Sequence, residues 1–280
     1  MHLTRQSPVN EGRYKNTDGV KNTYGVRVLV TRPERQSEAL VLLLEEAGYQ
    51  PELLPCIGIR PLSLDFSAAG TSERLLLDDY DVVVFTSSNA VESLFGQLSV
   101  PLSTGKCDIL AVGPATASVL ENHGLKVSES PQIPYNSEAL LKSATLCDRN
   151  LQRVLIIKGT GGRNFLQKSL EKQGLKVFTL ATYERYLPEI AEPLLERVFL
   201  NSPVDIVTIT SNDTLNNLAL LAGEQYRKLL LRLPLAVSSS RAADLAKEIG
   251  FQNTIAVADA PGNLGLVKAI SNWKLSRDGI

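Results

Sequence analysis

The sequence predicts an α/β protein built from two similar, doubly wound domains with mainly parallel sheets. Short apolar strands alternate with helical segments along most of the chain, which is the pattern of parallel sheets covered by helices. The same order of segments occurs twice, so the chain is an internal duplication. The length of 280 residues suits two domains with separate cores.

The duplication is clearest in the segments Asp81–Glu92 and Asp205–Leu215. Each contains an aspartate, a run of apolar residues, a Thr-Ser turn and an asparagine, and the second copy follows the first by 124 positions. RVLVTRP from Arg27 and RVLIIKG from Arg153 repeat at a spacing of 126 positions. A repeat of this length indicates two domain-sized copies, because the units of a solenoid are only about 20–50 residues long.

The composition argues against several classes of function. A net charge of −1 and a pI near 6.2 give no basic surface for nucleic acid or an acidic membrane. No apolar run approaches the ~18 residues that a membrane helix needs. The cysteines Cys56, Cys107 and Cys147 form no CxxC pair and the sequence shows no signal peptide, so we expect reduced thiols and a cytoplasmic location. His2 and His123 lack the spacing of metal ligands, so we expect no metal.

The first copy begins after a polar segment, residues 1–25, for which we predict a disordered extension. The β-branched segment Val26–Thr31 is a predicted strand. The Thr31–Glu34 spacing is that of a capping box and predicts a helix that continues to Ala47. A second strand is expected from Tyr49 to Leu54.

Two extended segments, Pro55–Pro61 and Ala181–Pro188, are predicted connectors. The other strands are expected at Val82–Phe85, Ile109–Val112, Val154–Ile157, Lys176–Leu180, Ile206–Ile209, Leu235–Val237 and Ile255–Val257. The other helices are expected at Asn89–Gln97, Pro114–Asn122, Ser137–Ala144 and Asn164–Gln173, from Asp213, from Arg241, and through Lys268. Two arrangements stay open. Either the halves are contiguous domains, or the connectors cross, so that the chain ends form one domain and the middle forms the other.

Hydroxyl and amide side chains follow several predicted strands, where parallel sheets bring helix N-termini and ligands together. They are Thr86, Ser87, Ser88, Asn89, Thr116, Thr210, Ser211, Asn212, Ser238, Ser239 and Ser240. An ordinary helix cap explains any one of them, and the capping-box spacing of Asn89 and Glu92 predicts a helix that starts at Asn89. Their recurrence in both copies favours an anion site, because each helix N-terminus near an anion contributes ~0.3–1 kcal/mol. Several together could hold a polycarboxylate without a basic patch.

The segment KGTGGRN, Lys158–Asn164, follows a predicted strand and opens a helix, which invites a dinucleotide-binding interpretation. Asn164 replaces the third glycine of that motif, although Glu184 lies about where a ribose-binding acid is expected. We therefore predict a glycine turn that lets the backbone approach some anion. Positive charge at the same strand ends would come from four cations, unless these are solvated surface groups: Arg32, Lys158, Arg163 and Arg241.

Tyr183 lies in the second connector together with Tyr186. A tyrosine in a connector is most often an anchor for packing. A phenol that faces a cleft could also donate a proton to a leaving hydroxyl, a general-acid role that contributes ~10²–10⁴ in rate. Both interpretations of Tyr183 stay open from the sequence.

From Val26 to Ile270 the chain resembles the uroporphyrinogen-III synthase family. The resemblance rests on six motifs in order: LVTRP at Leu29–Pro33, VVFTSSNAV at Val83–Val91, AVGPATA at Ala111–Ala117, GTGGR at Gly159–Arg163, TYER at Thr182–Arg185 and TITSN at Thr208–Asn212. Two positions depart from the family pattern. Lys158 stands where an arginine is common, and SSSRAA from Ser238 stands where a glycine-proline turn can occur.

The resemblance implies two interleaved domains joined by a two-stranded connector. The implied boundaries are 26–55 with 189–272 for one domain, 62–180 for the other, and 56–61 and 181–188 for the connectors. It also implies a lyase (hydro-lyase) that closes the linear tetrapyrrole hydroxymethylbilane to uroporphyrinogen III. The terminal pyrrole is inverted and water leaves, in haem, sirohaem and cobalamin synthesis. A monomer without a cofactor is implied, and a transient contact with hydroxymethylbilane synthase is a candidate partner interaction.

Within this resemblance, Tyr183 matches the tyrosine proposed to assist departure of the hydroxyl, Thr116 matches a cleft threonine, and Ser240 is its approximate partner in the second copy. The expected substrate-binding residues are Arg32, Thr86, Ser87, Ser88, Asn89, Thr116, Lys158, Gly159, Thr210, Ser211, Asn212, Ser239 and Ser240. We expect the fold to act mainly by holding the substrate's conformation. Two other functions compete: a two-domain anion-binding or sensory protein without catalysis, and a nucleotide-dependent transferase that uses the loop from Gly159 to Gly162.

Overall fold

The computed structural model describes residues 25–70, 75–99, 102, 105–133 and 135–279. The extension predicted over residues 1–25 lies outside these ranges, except for Gly25. The strands are β1 Arg27–Val30, β2 Gln50–Leu53, β3 Gly58–Pro61, β4 Val82–Phe85, β5 Asp108–Ala111, β6 Arg153–Gly159, β7 Lys176–Tyr186, β8 Ile206–Ile209, β9 Leu235–Val237 and β10 Ile255–Val257. The helices are α1 Glu38–Glu46, α2 Ser88–Phe95, α3 Pro114–Asn122, α4 Ser137–Leu140, α5 Phe165–Lys172, α6 Glu192–Glu196, α7 Asn212–Leu230, α8 Ser240–Ile249 and α9 Asn263–Asp278.

The strands form two five-stranded sheets. Sheet 1 has the order β10-β9-β8-β1-β2, and sheet 2 has the order β3-β7-β6-β4-β5. All pairings within both sheets are parallel except the edge pair of β3 and β7. The predicted α/β class with mainly parallel sheets is therefore confirmed. Sheet 1 takes its strands from both ends of the described chain, and sheet 2 takes its strands from the middle.

Strand β7 is longer than the sequence suggested. It runs without a break from the predicted strand at Lys176 into the predicted connector, as far as Tyr186. Its last four residues pair antiparallel with β3, so that Tyr186 lies opposite Gly58 and Tyr183 lies opposite Pro61. The two predicted connectors thus run side by side as a ribbon at the edge of sheet 2.

Both faces of each sheet are covered. In β1, Leu29 packs into a cluster with α7 and α8, whereas its neighbour Val28 packs against α1 and α9 on the opposite face. In β4, Val83 packs into a cluster with α2 and α3, and Val82 packs against α4 and α5. All four side chains are fully buried, and burial of one valine or leucine contributes about 1.5–3 kcal/mol. Successive residues of β1 and β4 therefore enter cores on opposite faces of their sheet, and the sequence shows a continuous apolar run in each strand.

Several helix starts and ends differ from the sequence prediction, and three of the differences have a visible local cause. The helix predicted from Asn89 starts at Ser88, because Ser87 has the extended backbone of a cap and its hydroxyl accepts a hydrogen bond from the Ala90 N–H. The Thr31–Glu34 capping box does not form. Pro33 is extended, a 3-10 turn follows, and α1 starts only at Glu38. The helix predicted over 137–144 ends after α4, because the next residues form a separate 3-10 turn.

The longest helix, α7, has 19 residues and is interrupted at Gly223, whose φ of 50° and ψ of −165° are not helical. The last helix, α9, continues to Asp278, ten residues beyond the predicted Lys268. Within the described ranges, no helix is both long enough and apolar enough to cross a membrane.

Candidate functional site

The turn after β4 carries the first two predicted site residues of sheet 2. Thr86 is half-buried and its hydroxyl donates to the Ile157 carbonyl at 3.2 Å, which ties the turn to β6. Ser87 caps α2, since its Oγ accepts from the Ala90 N–H at 3.2 Å. The carboxyl end of a central strand and the N-terminus of a helix therefore meet here, as the sequence predicted.

Tyr183 lies on β7 beside this turn. Its Oη is 3.0 Å from Ser87 Oγ, and its side chain is only 3% exposed. Ser87 Oγ accepts the Ala90 N–H, and either hydroxyl can be the donor in its contact with Tyr183 Oη; with Ser87 as the donor, the phenol proton is free for another acceptor. Packing and hydrogen bonding thus hold the phenol in one position. This position is compatible with both interpretations of Tyr183, as a packing anchor and as a proton donor.

Gly159 makes the room that Tyr183 occupies. A Cβ at this position would lie 2.6 Å from Tyr183 Cζ, which is closer than atoms can approach without displacing the ring. The Thr160 N–H also donates to the Tyr183 carbonyl at 2.8 Å, so the loop and β7 are held together. The chain turns at Gly161 and Gly162, which both have φ above +70°. Gly159 is therefore required for a close approach of its backbone to an aromatic ring.

A polar cavity of about 180 Å³, the Tyr183 cavity, opens beside these groups. It is lined by Thr86, Ser87, Ser137, Ile156, Lys158, Gly159, Thr160, Gly161, Gly162, Arg163, Asn164, Leu166, Gln167, Tyr183 and Arg185. Five predicted site residues meet there: Thr86, Ser87, Lys158, Gly159 and Tyr183. Hydroxyls, glycine backbone and cations line one wall, which is an environment suited to an anion.

The three cations at the Tyr183 cavity have different partners. Lys158 Nζ donates to Asn164 Oδ1 at 2.8 Å. Arg163 donates to both carboxylate oxygens of Glu138 at 2.6 and 3.3 Å, and this hydrogen bonding lowers the pKa of the Glu138 carboxyl. Arg185 Nη1 lies 3.4 Å from Asp213 Oδ2, on the first turn of α7.

A larger cavity, of about 910 Å³, lies between the ribbon and α2, and we term it the connector cavity. Its apolar wall includes Ile57, Ile59 and Tyr186, and its polar wall includes Ser88 and Asn89. Asn89 Oδ1 also accepts a hydrogen bond from Gln36 Nε2 at 2.7 Å, which links α2 of sheet 2 to the turn after β1 of sheet 1. Ser88 and Asn89, the two residues that follow Ser87, thus line a different cavity from Ser87.

The remaining predicted residues line neither cavity. Ser211 and Ser239 cap α7 and α8, accepting from the N–H groups of Thr214 and Ala242 at 3.1 and 3.3 Å. Thr210 accepts a hydrogen bond from Ser238 through its carbonyl. Asn212 is half-buried in the first turn of α7, and Ser240 is exposed in the first turn of α8.

Two further predicted site residues lie away from the cavities, Arg32 half-buried and Thr116 buried. Arg32 Nη1 donates to Asn263 Oδ1 at 2.6 Å, and burial lowers the pKa of its guanidinium. Thr116 is 5% exposed within α3. Neither side chain lies at the Tyr183 cavity or the connector cavity.

The sequence prediction missed Arg185 as a cavity residue. Tyr183 and Arg185 are two positions apart in β7, and residues at this spacing point to the same side of a strand. The signal was therefore present in the TYER motif once the connector was taken as a strand. Ser137 and Gln167 were also missed, and they carry no comparable signal because their place at the cavity depends on how α4 and α5 pack.

The fold and the Tyr183 cavity define the class of this protein: an α/β enzyme with two mainly parallel sheets and a hydroxyl- and cation-lined site at strand ends. The family model described as "Uroporphyrinogen-III synthase HemD" matches residues 38–268. The chain belongs to the uroporphyrinogen-III synthase family, whose enzymes are lyases of tetrapyrrole biosynthesis. The resemblance found in the sequence motifs is thereby confirmed.

Curated relatives and solved structures agree with this assignment. The putative uroporphyrinogen-III synthase of Methanothermobacter thermautotrophicus is 34% identical over 72% of this chain and 79% of its own length. The Escherichia coli uroporphyrinogen-III synthase is 30% identical over 87% of this chain and 99% of its own length. A mutant Thermus thermophilus uroporphyrinogen III synthase structure aligns with a TM-score of 0.58 at 19% identity, over 91% of this chain and all of that one. That last likeness is one of fold alone.

Proposed function

We propose that this chain closes hydroxymethylbilane to uroporphyrinogen III at the Tyr183 cavity, with Tyr183 as general acid. The observation that carries the proposal is the 3.0 Å contact of Tyr183 Oη with Ser87 Oγ in the wall of that cavity. The phenol is buried beside a hydroxyl at the N-terminus of α2, and Arg163 and Arg185 line the same cavity, so the phenol lies in a polar site and not in an apolar core.

In the proposed step, Tyr183 Oη donates its proton to the hydroxyl that leaves the substrate. The C–O bond breaks and water departs, while the phenolate keeps its hydrogen bond from Ser87. A pyrrole carbon then attacks the cationic carbon that remains, the new C–C bond closes the ring, and the proton that this pyrrole carbon loses restores the phenol. Ser87 sits at the N-terminus of α2, where the helix dipole favours negative charge. The arrangement therefore stabilises the charge that develops on Tyr183 during the reaction.

We further propose that the two sheets are the cores of two interleaved domains that arose by duplication: residues 26–55 with 189–272, and residues 62–180. The segments 56–61 and 181–188 would be the connectors, and the antiparallel pairing of β3 with the end of β7 supports this. The repeated strand, cap and helix after β4 and β8 support the duplication. Two polar contacts join the sheets' elements, Gln36 to Asn89 and Arg185 to Asp213.

The substrate carries acidic arms along its whole length, so we propose that it extends from the Tyr183 cavity toward sheet 1. Its arms would meet Thr210 and the caps and first turns of α7 and α8, namely Ser211, Asn212, Ser239 and Ser240. Arg32, after β1 of the same sheet, and Thr116, on α3 of sheet 2, would hold further arms. The contact between Arg185 at the cavity and Asp213 on α7 supports this, because it places the N-terminus of α7 at the cavity rim. Ser88 and Asn89 would hold the arms that enter the connector cavity.

Inversion of the terminal pyrrole is proposed to follow from how the chain holds the substrate. Simple closure occurs without an enzyme and gives the type I isomer, so the protein must favour attack by the inverted ring. Positioning of reacting groups lowers the barrier by up to about 7–11 kcal/mol. One general acid supplies a rate factor of ~10²–10⁴, which corresponds to a smaller lowering of the barrier because each tenfold in rate is about 1.4 kcal/mol. We therefore assign the isomer choice to the shape of the site and the rate of water loss to Tyr183.

The proposed function is tested with freshly made hydroxymethylbilane, followed by oxidation and separation of the product isomers. Type III product in excess of the spontaneous type I product is expected. Heat-inactivated protein is the control for spontaneous closure. Type I product alone would show that this chain lacks the proposed activity, and it would leave an anion-binding role without catalysis as the explanation of the site.

Three expectations accompany this proposal and stay predictions: a monomer, a cytoplasmic location and a transient contact with hydroxymethylbilane synthase. A monomer would elute from a sizing column near 30.5 kDa. The contact would appear as a shorter lag in the coupled reaction when both proteins are present than when the substrate is added free.

A further inference from the structure

The Tyr183 cavity has an uneven distribution of charge. Its wall includes Lys158, Arg163 and Arg185, whereas none of its described lining residues is acidic. The carboxylates that pair with the arginines, Glu138 and Asp213, lie outside the wall. The charged side chains that line the Tyr183 cavity are therefore all cations, and the carboxylates paired with the two arginines lie outside the lining.

The two arginines are held to different degrees. Arg163, whose side chain is 68% exposed, makes two hydrogen bonds to Glu138, the shorter at 2.6 Å, and this bidentate geometry restrains the guanidinium more than a single contact does. Arg185 makes one contact to Asp213, at 3.4 Å, and these side chains are 51% and 65% exposed. A single exposed contact of this kind contributes little, because water and salt screen it. Arg185 is consequently the arginine that can change its partner.

Arg185 is also placed to act together with Tyr183. The two residues are separated by one position on β7 and line the same cavity. A carboxylate held by Arg185 would therefore lie in the same cavity as the Tyr183 phenol. The cavity volume of about 180 Å³ accommodates one acidic arm with a few waters, since a water occupies about 30 Å³ in the liquid.

We propose that Arg185 leaves Asp213 and binds one carboxylate arm of the substrate, with Lys158 as the second cation of this subsite. The inference rests on the proposed function and adds a specificity residue to it. A substrate carboxylate in the cavity offers Arg185 two oxygens in a partly enclosed site, where charge-assisted hydrogen bonds are stronger than at the exposed Asp213 pair. Asp213 is then a competitor of the substrate, since it holds Arg185 in the free protein and releases it on binding.

The test is steady-state kinetics on Arg185→Gln and Asp213→Asn with isomer-resolved products. Arg185→Gln is expected to raise KM about tenfold with little change in kcat, because it removes a charged hydrogen bond to the substrate. Asp213→Asn is expected to lower KM about two- to fivefold, because Arg185 no longer has a competing partner. Arg185→Lys should restore part of the affinity, since it keeps the charge and loses the planar fork.

The matched control is Asp244→Asn. Asp244 pairs with Lys247 at the same 3.4 Å, with both side chains about two-thirds exposed, and neither residue lines the Tyr183 cavity. This variant removes one surface carboxylate from a helix of sheet 1, as Asp213→Asn does, and should leave KM unchanged. An equal fall of KM in Asp213→Asn and Asp244→Asn would overturn the proposed change of partner by Arg185, because it would reflect only the change in net charge.

An unchanged KM in both Arg185→Gln and Asp213→Asn, with a wild-type protein that makes type III product, would overturn this inference and leave the proposed function intact. A wild-type protein that gives only type I product would overturn the proposed function itself. Thermal unfolding of each variant is measured alongside. If Arg185→Gln fails to fold, Arg185→Lys and Asp213→Asn decide the question by the direction of their change in KM.

Discussion

Ser87 and Ser211 occupy equivalent turns of the two sheets and have nearly the same local structure. Both precede a helix with an extended backbone, at φ −164° and ψ 156° for Ser87 and φ −155° and ψ 161° for Ser211. Each hydroxyl accepts a hydrogen bond from the backbone three residues on, at 3.2 and 3.1 Å. Their second partners differ. Ser87 contacts Tyr183 Oη, and Ser211 contacts the hydroxyl of Thr214 in its own helix.

This difference shows what separates a cap from a site. The strand, the turn and the helix start follow from local sequence, and they are alike in both sheets. The proposed chemistry depends on Tyr183, which is 96 residues away in sequence and reaches Ser87 because β7 pairs with β6 and β6 pairs with β4. Sheet 1 has the same cap without a phenol beside it, so it is suited to binding substrate arms and sheet 2 to the proton transfer.

The buried tyrosines of the two regions differ in the same way. Tyr183 is hydrogen-bonded to a hydroxyl and lines a cavity. Tyr226, on α7, is hydrogen-bonded to the Glu192 carboxylate and stacked on Phe199 with ring centres 5.1 Å apart. The carboxylate first, and then burial, raises the pKa of Tyr226 to about 12, so this phenol is held in its protonated form. Tyr226 is bonded within the core, whereas Tyr183 reaches a cavity, as the proposed proton transfer requires.

The largest effect is expected from Gly159→Ala. The added Cβ would displace the Tyr183 ring, so kcat should fall by at least the ~10²-fold expected for loss of a general acid. Overpacking of this kind also costs about 1–3 kcal/mol of unfolding free energy. Turnover and urea unfolding measure the two effects separately.

Gly161→Ala is the control in the same loop. Gly161 has φ +71° and open space around it, so alanine there strains the backbone by about 1–2 kcal/mol without reaching Tyr183. An equal loss of kcat in Gly159→Ala and Gly161→Ala would show that kcat depends on the conformation of the loop and not on the position of the Tyr183 ring.

Tyr183→Phe should slow turnover about 10²-fold with KM nearly unchanged, because the ring still packs and only the hydroxyl, with the proton it donates, is lost. Saturating substrate isolates kcat from binding. The product should still be type III, since the shape of the site is kept. Full activity of this variant at saturating substrate would mean that another group protonates the leaving hydroxyl.

Ser87→Ala and Ser211→Ala sharpen the comparison of the two caps. Each should lower the unfolding free energy by about 1 kcal/mol, the usual value of a helix N-cap. Only Ser87→Ala should also reduce kcat, by about tenfold, because a hydrogen bond to a charged group contributes about 1.5–3 kcal/mol. Ser211→Ala should instead leave kcat near the wild-type value and raise KM slightly. Equal losses of kcat in the two variants would contradict the division between the sheets.

Tyr226→Phe should have the smallest effect on activity and a clear effect on the pH dependence of stability. The pKa of Tyr226 is about 12 in the folded protein and about 10 in an unfolded chain, so the folded state holds this proton more tightly. The stabilisation is fully present below pH 10 and is lost as the pH rises toward 12. Urea midpoints of wild type should fall over this range, and those of Tyr226→Phe should fall less. A parallel fall in both proteins would show that another group is responsible.

Much of the fold could be predicted from the sequence because it is encoded locally. Apolar β-branched runs such as Val82–Phe85 predict buried strands, and both Leu235–Val237 and Ile255–Val257 were placed correctly to the residue. Helix starts were less accurate. Asn89 has the spacing of a capping box, yet Ser87 is the residue with extended backbone, because spacing alone does not reveal which polar residue leaves the helix.

The site could be predicted only in part. Thr86 and Ser87 follow β4 and Lys158 lies near the carboxyl end of β6, and the sequence indicated them because strand ends are where parallel sheets place ligands. The role of Gly159 toward Tyr183 was not predictable, since it depends on a bulge where β6 and β7 change register after Lys158. The partner of Ser87 likewise depends on the strand order of sheet 2, which no local pattern specifies.

The most direct test of the proposed site is a double-mutant cycle on turnover with Tyr183→Phe, Ser87→Ala and the combined variant. If Ser87 acts through Tyr183, removing its hydroxyl after the phenol is gone should have no further effect on kcat, so the double variant should equal Tyr183→Phe. If the losses instead add in free energy, Ser87 and Tyr183 act independently, and the coupled hydroxyl pair is not the proton donor of this enzyme.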